Sequence, residues 1–386
     1  MIPYGRQSIS DDDIESVVQV LRSDLITQGP TVPLFEEVVA GYCGAKYGVA
    51  TTNATSALHV ACLALGLRRG DLVWTSPNTF AASANCALYC GANIDFVDID
   101  PVTYNLSVAS LRRKLEDAEK TGKLPKIVIP VHFAGQSCEM KEIATLSKYY
   151  GFRVLEDASH AIGGRYRGQP VGNCRYSDIT VFSFHPVKII TTGEGGMALT
   201  NDPALQGLMS LYRSHGISNE KEKMSVRPES EIWKYQQIGL GFNYRMTDIQ
   251  AALGLSQMKN LDKFVFSRRS IAANYDEALP HDALLLPAQN PSGSSSYHLY
   301  PIRVDSGSHS PGQIKVTERL INSGLGVNHH YIPVYRHPYY ESLGFKPGYC
   351  PEAEMYFRET ISLPIYPKLT ESEQDFVIQS VLAALN

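Results

Sequence analysis

Between residues 47 and 200 short apolar segments alternate with helical patterns, and this alternation constrains the fold more than any other feature. Segments 47–51, 72–75, 94–97, 127–131, 152–156 and 179–184 read as strands, with 197–200 after them. Helical spacing of apolar residues fills 55–67, 79–89, 108–119 and 140–150. Strands this apolar, the first four each followed by a helix, fit a mainly parallel sheet covered by helices on both faces, an α/β fold. In such sheets ligands gather at the carboxyl ends of the strands.

The flanking segments are less regular. Ser10 before Asp11, Asp12 and Asp13 reads as a helix N-cap with acidic residues in the first turn. A second helix over 33–42 is closed by Gly44. The polar, glycine-rich connection 214–246 is longer than joining two elements requires. Helical patterning resumes over 247–279, turn-forming residues occupy 287–296, and a strand at 297–304 precedes helices at 314–322 and 371–384. The expected organisation is a large domain over 1–250 and a smaller C-terminal α+β domain over 251–386.

Composition narrows the function. A chain of 386 residues exceeds one ordinary core, and 44% hydrophobic with 19% charged residues describes a globular protein. A net charge of -4 without a basic run argues against nucleic acid as partner. No apolar run is long enough to cross a bilayer and no signal-peptide pattern opens the chain, so no membrane partner and a cytoplasmic location are expected. The seven cysteines are scattered and odd in number, which favours reduced thiols over a disulfide framework or a metal site.

Asp157 ends the strand Phe152-Arg153-Val154-Leu155-Glu156, and Lys188 follows the next one. A carboxylate and an amine at successive strand ends suit pyridoxal phosphate, PLP. The lysine forms a Schiff base with its aldehyde, and the carboxylate keeps the pyridine nitrogen protonated so that the ring accepts electrons. Asn53-Ala54-Thr55-Ser56 lies between a strand and a helix, where Thr55 and Ser56 either cradle a phosphate or simply cap the helix. Phe80 stacks on a cofactor ring or packs in the core. Ser183 reaches a phosphate or is a satisfied buried serine, and His160 meets a ring oxygen or stabilises a turn. His185 flanks the site or is structural. The glycines of Thr191–Gly196 allow close backbone approach, aiming the lysine inward, or form a turn between strands. No Gly-x-Gly-x-x-Gly after a strand, Walker, Gly-x-Ser-x-Gly or His-Glu-x-x-His pattern competes.

These residues have a familiar arrangement. Together with Thr27-Gln28-Gly29-Pro30, Glu156-Asp157-Ala158-Ser159-His160, Ser183-Phe184-His185-Pro186-Val187-Lys188, Arg213-Ser214-His215-Gly216 and Gly241-Phe242-Asn243-Tyr244-Arg245-Met246, the chain resembles the DegT/StrS-type sugar-nucleotide aminotransferases of fold-type I. The opening Ile2-Pro3-Tyr4-Gly5-Arg6, the Ser159-His160 pair and Asn328-His329-His330-Tyr331 are similar to the pseudaminic acid branch of that family.

The resemblance implies that Lys188 carries PLP, that Asp157 binds its ring nitrogen, and that Thr55, Ser56 and Ser183 hold its phosphate. Phe80 would stack on the ring, and His160 would stand where relatives have glutamine. Asn243 would reach the phosphate in a neighbouring subunit, which implies a homodimer with shared sites. Tyr4, His185, His215, Arg245, His330 and Tyr331 would face a UDP-linked keto sugar, aminated at C4 at the expense of L-glutamate. The alternatives are another keto sugar, such as UDP-4-keto-arabinose, or a regulatory PLP-binding protein without turnover. Related dehydratases carry histidine in place of the lysine, so Lys188 speaks against that reaction.

Overall fold

The computed structural model describes residues 1–228, 230–304 and 312–386; Glu229, within the 214–246 connection, and 305–311 lie outside the described residues. Its central sheet contains β1 (Tyr47–Thr51), β2 (Leu72–Thr75), β3 (Asn93–Phe96), β4 (Ile127–Ile129), β5 (Arg153–Asp157), β6 (Ile179–Ser183) and β7 (Gly196–Thr200). The order across the sheet is β1-β7-β6-β5-β4-β2-β3. Neighbours are parallel except around β7, which runs antiparallel to both β1 and β6. β4 stops at Ile129 because Pro130 has no N–H to give the ladder.

The helices of this part are α1 (Asp11–Leu21), α2 (Thr31–Cys43), α3 (Ala54–Ala64), α4 (Ala82–Tyr89), α5 (Val108–Thr121), α6 (Met140–Tyr150) and α7 (Pro203–Arg213). Side chains alternate across each strand, so successive residues enter different cores. Val49, Val73, Ile127, Leu155, Val181 and Ala198 join α3, α4 and α7 on one face. On the other, Ala50, Phe182 and Met197 meet α2, while Trp74, Val128 and Val154 meet α5 and α6. A strand buried on both faces has no polar side, which is why these segments read as continuous apolar runs.

Caps fix where the helices start. The Ser10 hydroxyl accepts the Asp13 N–H while the Asp13 carboxylate accepts the Ser10 N–H, a reciprocal box contributing about 1 kcal/mol. Asn53 caps α3 one residue earlier than its sequence pattern suggests. α4 begins at Ala82, not 79, and this leaves Thr79 and Phe80 in the preceding turn. The helical stretch after Thr247 divides into α8 (Asp248–Met258) and α9 (Leu261–Ala278).

A second core lies under the antiparallel strands β8 (Leu284–Leu285), β9 (Tyr300–Val304) and β10 (Thr360–Leu363), with α10 (Gly312–Asn322) and α11 (Glu371–Leu385). α9 serves both cores: Leu261, Phe264 and Val265 pack with α2, whereas Ile271, Ala272 and Tyr275 pack under β9. The N-terminal arm crosses to this half, pairing Ile2–Pro3 in parallel with Leu325–Gly326. The Tyr4 carbonyl then accepts the Ile365 N–H at 3.0 Å. Among the described residues no helix is long and apolar enough to cross a membrane.

Candidate active site

Parallel pairing of β5 with β6 sets Asp157 opposite Val181 and brings both carboxyl ends to one edge of the sheet. The Asp157 backbone is fixed on both sides: its N–H donates to the Pro130 carbonyl at 2.9 Å and its carbonyl accepts the His132 N–H at 3.0 Å. Its carboxylate is buried and held by two donors, the Ser83 hydroxyl at 2.6 Å and the Ser159 N–H at 3.1 Å. A buried carboxylate is stable as an anion only when such donors replace water. From β6 the chain turns, with the Lys188 N–H on the His185 carbonyl at 2.9 Å, and brings the Lys188 side chain into the same cavity as Asp157. Burial lowers the Lys188 amine to about 8, while Asp157 pulls the other way.

The cavity measures about 730 Å³, a size suited to a cofactor together with part of a substrate. Tyr4, Thr55, Phe80, His160, Ser183 and His185 line it with Asp157 and Lys188, as do His330 and Tyr331. Four further sequence candidates do not: Ser56, His215, Asn243 and Arg245 are not on its wall. The Ser56 hydroxyl is turned to the Asn53 cap, 3.0 Å from its Oδ1. Asn243 is exposed and bridges to Ser214; Arg245 follows two residues on, and the His215 N–H donates to the Phe242 carbonyl at 2.8 Å.

Gly196 shows why the loop before β7 needs glycine. A Cβ there would lie 2.4 Å from the carbonyl carbon of Asn53, so only glycine lets β7 pass the cap of α3. The close approach thus serves the start of α3 rather than the aim of Lys188. Phe80 is 65% exposed at the edge of the cavity, an aromatic face available to a planar ring.

Five of the chain's eleven histidines line the cavity: His160, His185, His329, His330 and His337. His160 Nε2 meets the Tyr331 hydroxyl at 3.2 Å, and its buried Nδ1 has no partner among the described residues. Burial, Lys188 and His330 all hold the His160 imidazole well below its usual value. His330 is pushed down to about 3, first by burial and then by Lys188 and His329. Its Nδ1 faces the Ser362 hydroxyl at 2.8 Å. Among the described residues no arginine lines the walls, and Lys188 is their one basic side chain beside the low-titrating imidazoles of His160 and His330.

A model of the DegT/DnrJ/EryC1/StrS aminotransferase family matches residues 7–382. The chain belongs to this family. It is 36% identical over 383 residues to the spore coat polysaccharide biosynthesis protein SpsC of Bacillus subtilis, covering 98% of this chain and 96% of that one. It is 34% identical over 386 residues to a UDP-4-amino-4,6-dideoxy-N-acetyl-beta-L-altrosamine transaminase of Campylobacter jejuni, covering 100% and 98%. Among solved structures, Helicobacter pylori PseC, an aminotransferase of pseudaminic acid biosynthesis, superposes with a TM-score of 0.89 at 30% identity, covering 100% of this chain and 99% of that one.

DegT-family aminotransferases are PLP-dependent sugar aminotransferases, and the residues of this cavity fit such a cofactor in chemistry. A poised amine and an anchored carboxylate share one cavity with an exposed aromatic face. The N-terminus of α3 offers a phosphate the free N–H groups and positive end of a helix dipole. The unpartnered Nδ1 of His160 remains free for a polar atom of the ring. Sequence reasoning passed over two residues of the site. Ser83 stands three positions after Phe80, but its partner Asp157 is 74 residues away. His298 lies 3.5 Å from Lys188 across 110 residues and carries no local signature.

Proposed function

We propose that this DegT-family aminotransferase moves the amino group of L-glutamate to C4 of UDP-2-acetamido-2,6-dideoxy-β-L-arabino-hex-4-ulose, a step of pseudaminic acid biosynthesis. The observation that carries the chemistry is the Lys188 amine, lowered to about 8 and set in one cavity with the anchored Asp157. The Campylobacter relative and the PseC fold support the choice of sugar.

When bound, PLP supplies an aldehyde that carries the amino group and a ring that withdraws electrons from the bond being broken. In this reading Asp157 keeps a proton on the pyridine nitrogen, with Ser83 and Ser159 fixing its carboxylate. Thr55, Ser183 and the first turn of α3 bind the phosphate, and Phe80 covers the ring. The uncharged Lys188 Nζ takes the α-proton of glutamate and later returns a proton to C4 of the sugar. A lysine lowered to about 8 is partly uncharged near neutral pH, as both tasks require. Tyr4, His185, His330 and Tyr331 hydrogen-bond the sugar from the walls.

The same reading makes the enzyme a homodimer. A cofactor phosphate and a nucleotide diphosphate bring several negative charges to a cavity whose only lysine or arginine, among the described residues, is Lys188. Asn243, His215 and Arg245 of a second chain would supply the missing contacts. Incubation with PLP, glutamate and a panel of UDP-linked 4-keto sugars, followed by mass and NMR identification, tests the proposal. A 4-amino product from the N-acetylated 6-deoxyhexose supports it. Amination of UDP-4-keto-arabinose alone would keep the chemistry and replace the sugar. No conversion of glutamate to 2-oxoglutarate would leave the regulatory reading.

A further inference from the structure

His298 lies just before β9, where it is buried with its Nε2 3.5 Å from Lys188 Nζ. Its ring packs against that of His160 with centroids 4.3 Å apart. The backbone around it is clamped by the buried Arg268, whose Nη1 donates to the carbonyls of Tyr297, His298 and Ile365 at 3.2, 3.3 and 2.8 Å. Burying a guanidinium is costly, and Arg268 spends its contacts on this segment, so the placement of His298 is rigidly enforced. The Nδ1 of His298 is also buried and has no partner among the described residues.

The two imidazole nitrogens therefore have unequal claims on the proton. A proton on Nδ1 would leave an N–H donor buried without an acceptor, the rarer and costlier kind of orphan. A proton on Nε2 leaves only a lone pair unpaired and aims the N–H at Lys188. An N–H facing the ε-nitrogen suits a free amine, which has a lone pair to receive it, and opposes an ammonium, which has none. We propose that His298 is a positioning residue for Lys188: its Nε2–H selects and orients the uncharged amine, the form that captures a carbonyl carbon or accepts a proton.

The surrounding charges fit this role. Asp157 favours the ammonium, and Glu194 is the other carboxylate on the cavity wall, while the imidazoles of His160, His298 and His330 lie within electrostatic reach of the amine and Arg268 stands behind His298. Burial, with Lys188, His160, Arg268 and His330, keeps the His298 imidazole far below its usual value and uncharged at neutral pH. At 3.5 Å the contact is long, so the lone pair is readily released when the amine reacts.

The inference rests on Lys188 being the carbonyl-capturing residue, and its test needs neither cofactor nor sugar. Full-length protein freed of PLP is acetylated with traces of acetic anhydride over a pH series, and the label on Lys188 is read by peptide mass. The wild-type midpoint is expected near 8. His298→Phe keeps the ring and loses the N–H, so the midpoint rises. Labelling at pH 7 slows by about three- to tenfold, the range for one neutral hydrogen bond, and the alkaline plateau stays unchanged. His298→Gln restores a donor and brings the midpoint back. If His298→Phe does not fold, His298→Met replaces it in the same comparison. A midpoint that stays put or falls overturns the proposal, as does equal slowing at every pH, which signals lost access. Failure of transamination with this titration intact would count against the enzyme reading alone.

Discussion

Asp157 and Lys188 show how much one residue depends on neighbours that its local sequence does not name. Both were legible because each follows an apolar strand, where the fold displays side chains to ligands. Ser83 and His298 were not, because their relation to the pair exists only once α4 and β9 have packed. Replacing Ser83 with alanine removes a donor at 2.6 Å from a buried carboxylate. We expect kcat to fall about tenfold or more, as for a hydrogen bond to a charged group, with KM for glutamate nearly unchanged and the circular dichroism spectrum native. Lys188→Ala removes the proposed proton carrier itself. Transamination should drop by at least about 10²–10⁴-fold, and PLP should pass freely through a desalting column. A Schiff-base absorbance retained by that variant would assign the chemistry to another lysine.

At the scale of elements, strands β1 to β6 were readable to within a residue or two because burial on both faces leaves an unbroken apolar signal. The reversal of β7 was not readable, since an apolar run does not record its direction. Nor was the late start of α4, where Thr79 and Phe80 follow helical spacing but serve the cavity from a turn. Gly196 ties β7 to the cap of α3, and Gly196→Ala sets a Cβ 2.4 Å from Asn53. The variant should lose about 1–3 kcal/mol of stability and bind PLP more weakly in a fluorescence titration.

Next to Asp157, Glu156 anchors β5 from its other face. Burial works to raise this carboxyl, but His132 Nε2 at 2.6 Å and the hydroxyls of Ser177 and Thr180 outweigh it and lower it below 4.5. His132 Nδ1 accepts the Cys138 N–H, so Nε2 carries the proton given to Glu156. A depressed carboxyl stabilises the fold above its unfolded value and loses that contribution as pH falls through the folded one. Acid melting midpoints of the wild type should therefore drop steeply below about pH 4.5, and Glu156→Gln should flatten that slope while lowering stability at neutral pH.

For the whole molecule, the missing charge is the decisive clue. One chain lines its cavity with a single lysine and no arginine among the described residues, and Asn243, His215 and Arg245 stand off the cavity wall. If each site takes Asn243 from a second chain, Lys188→Ala and Asn243→Ala proteins, each weak alone, should complement when refolded together. Random pairing leaves about a quarter of the sites intact, because half the dimers are mixed and each mixed dimer keeps one whole site. No gain on mixing would show that one chain suffices. Such sharing between chains cannot be read from residue spacing, since its geometry belongs to the assembly.

If the amino group passes through a cofactor held at Lys188, borohydride will trap the link between them. The PLP-loaded protein is reduced, digested and mapped by mass, with and without prior glutamate. The expected result is a label on the peptide bearing Lys188 that disappears once glutamate has been added. A label on any other lysine, or one that glutamate leaves in place, would contradict it.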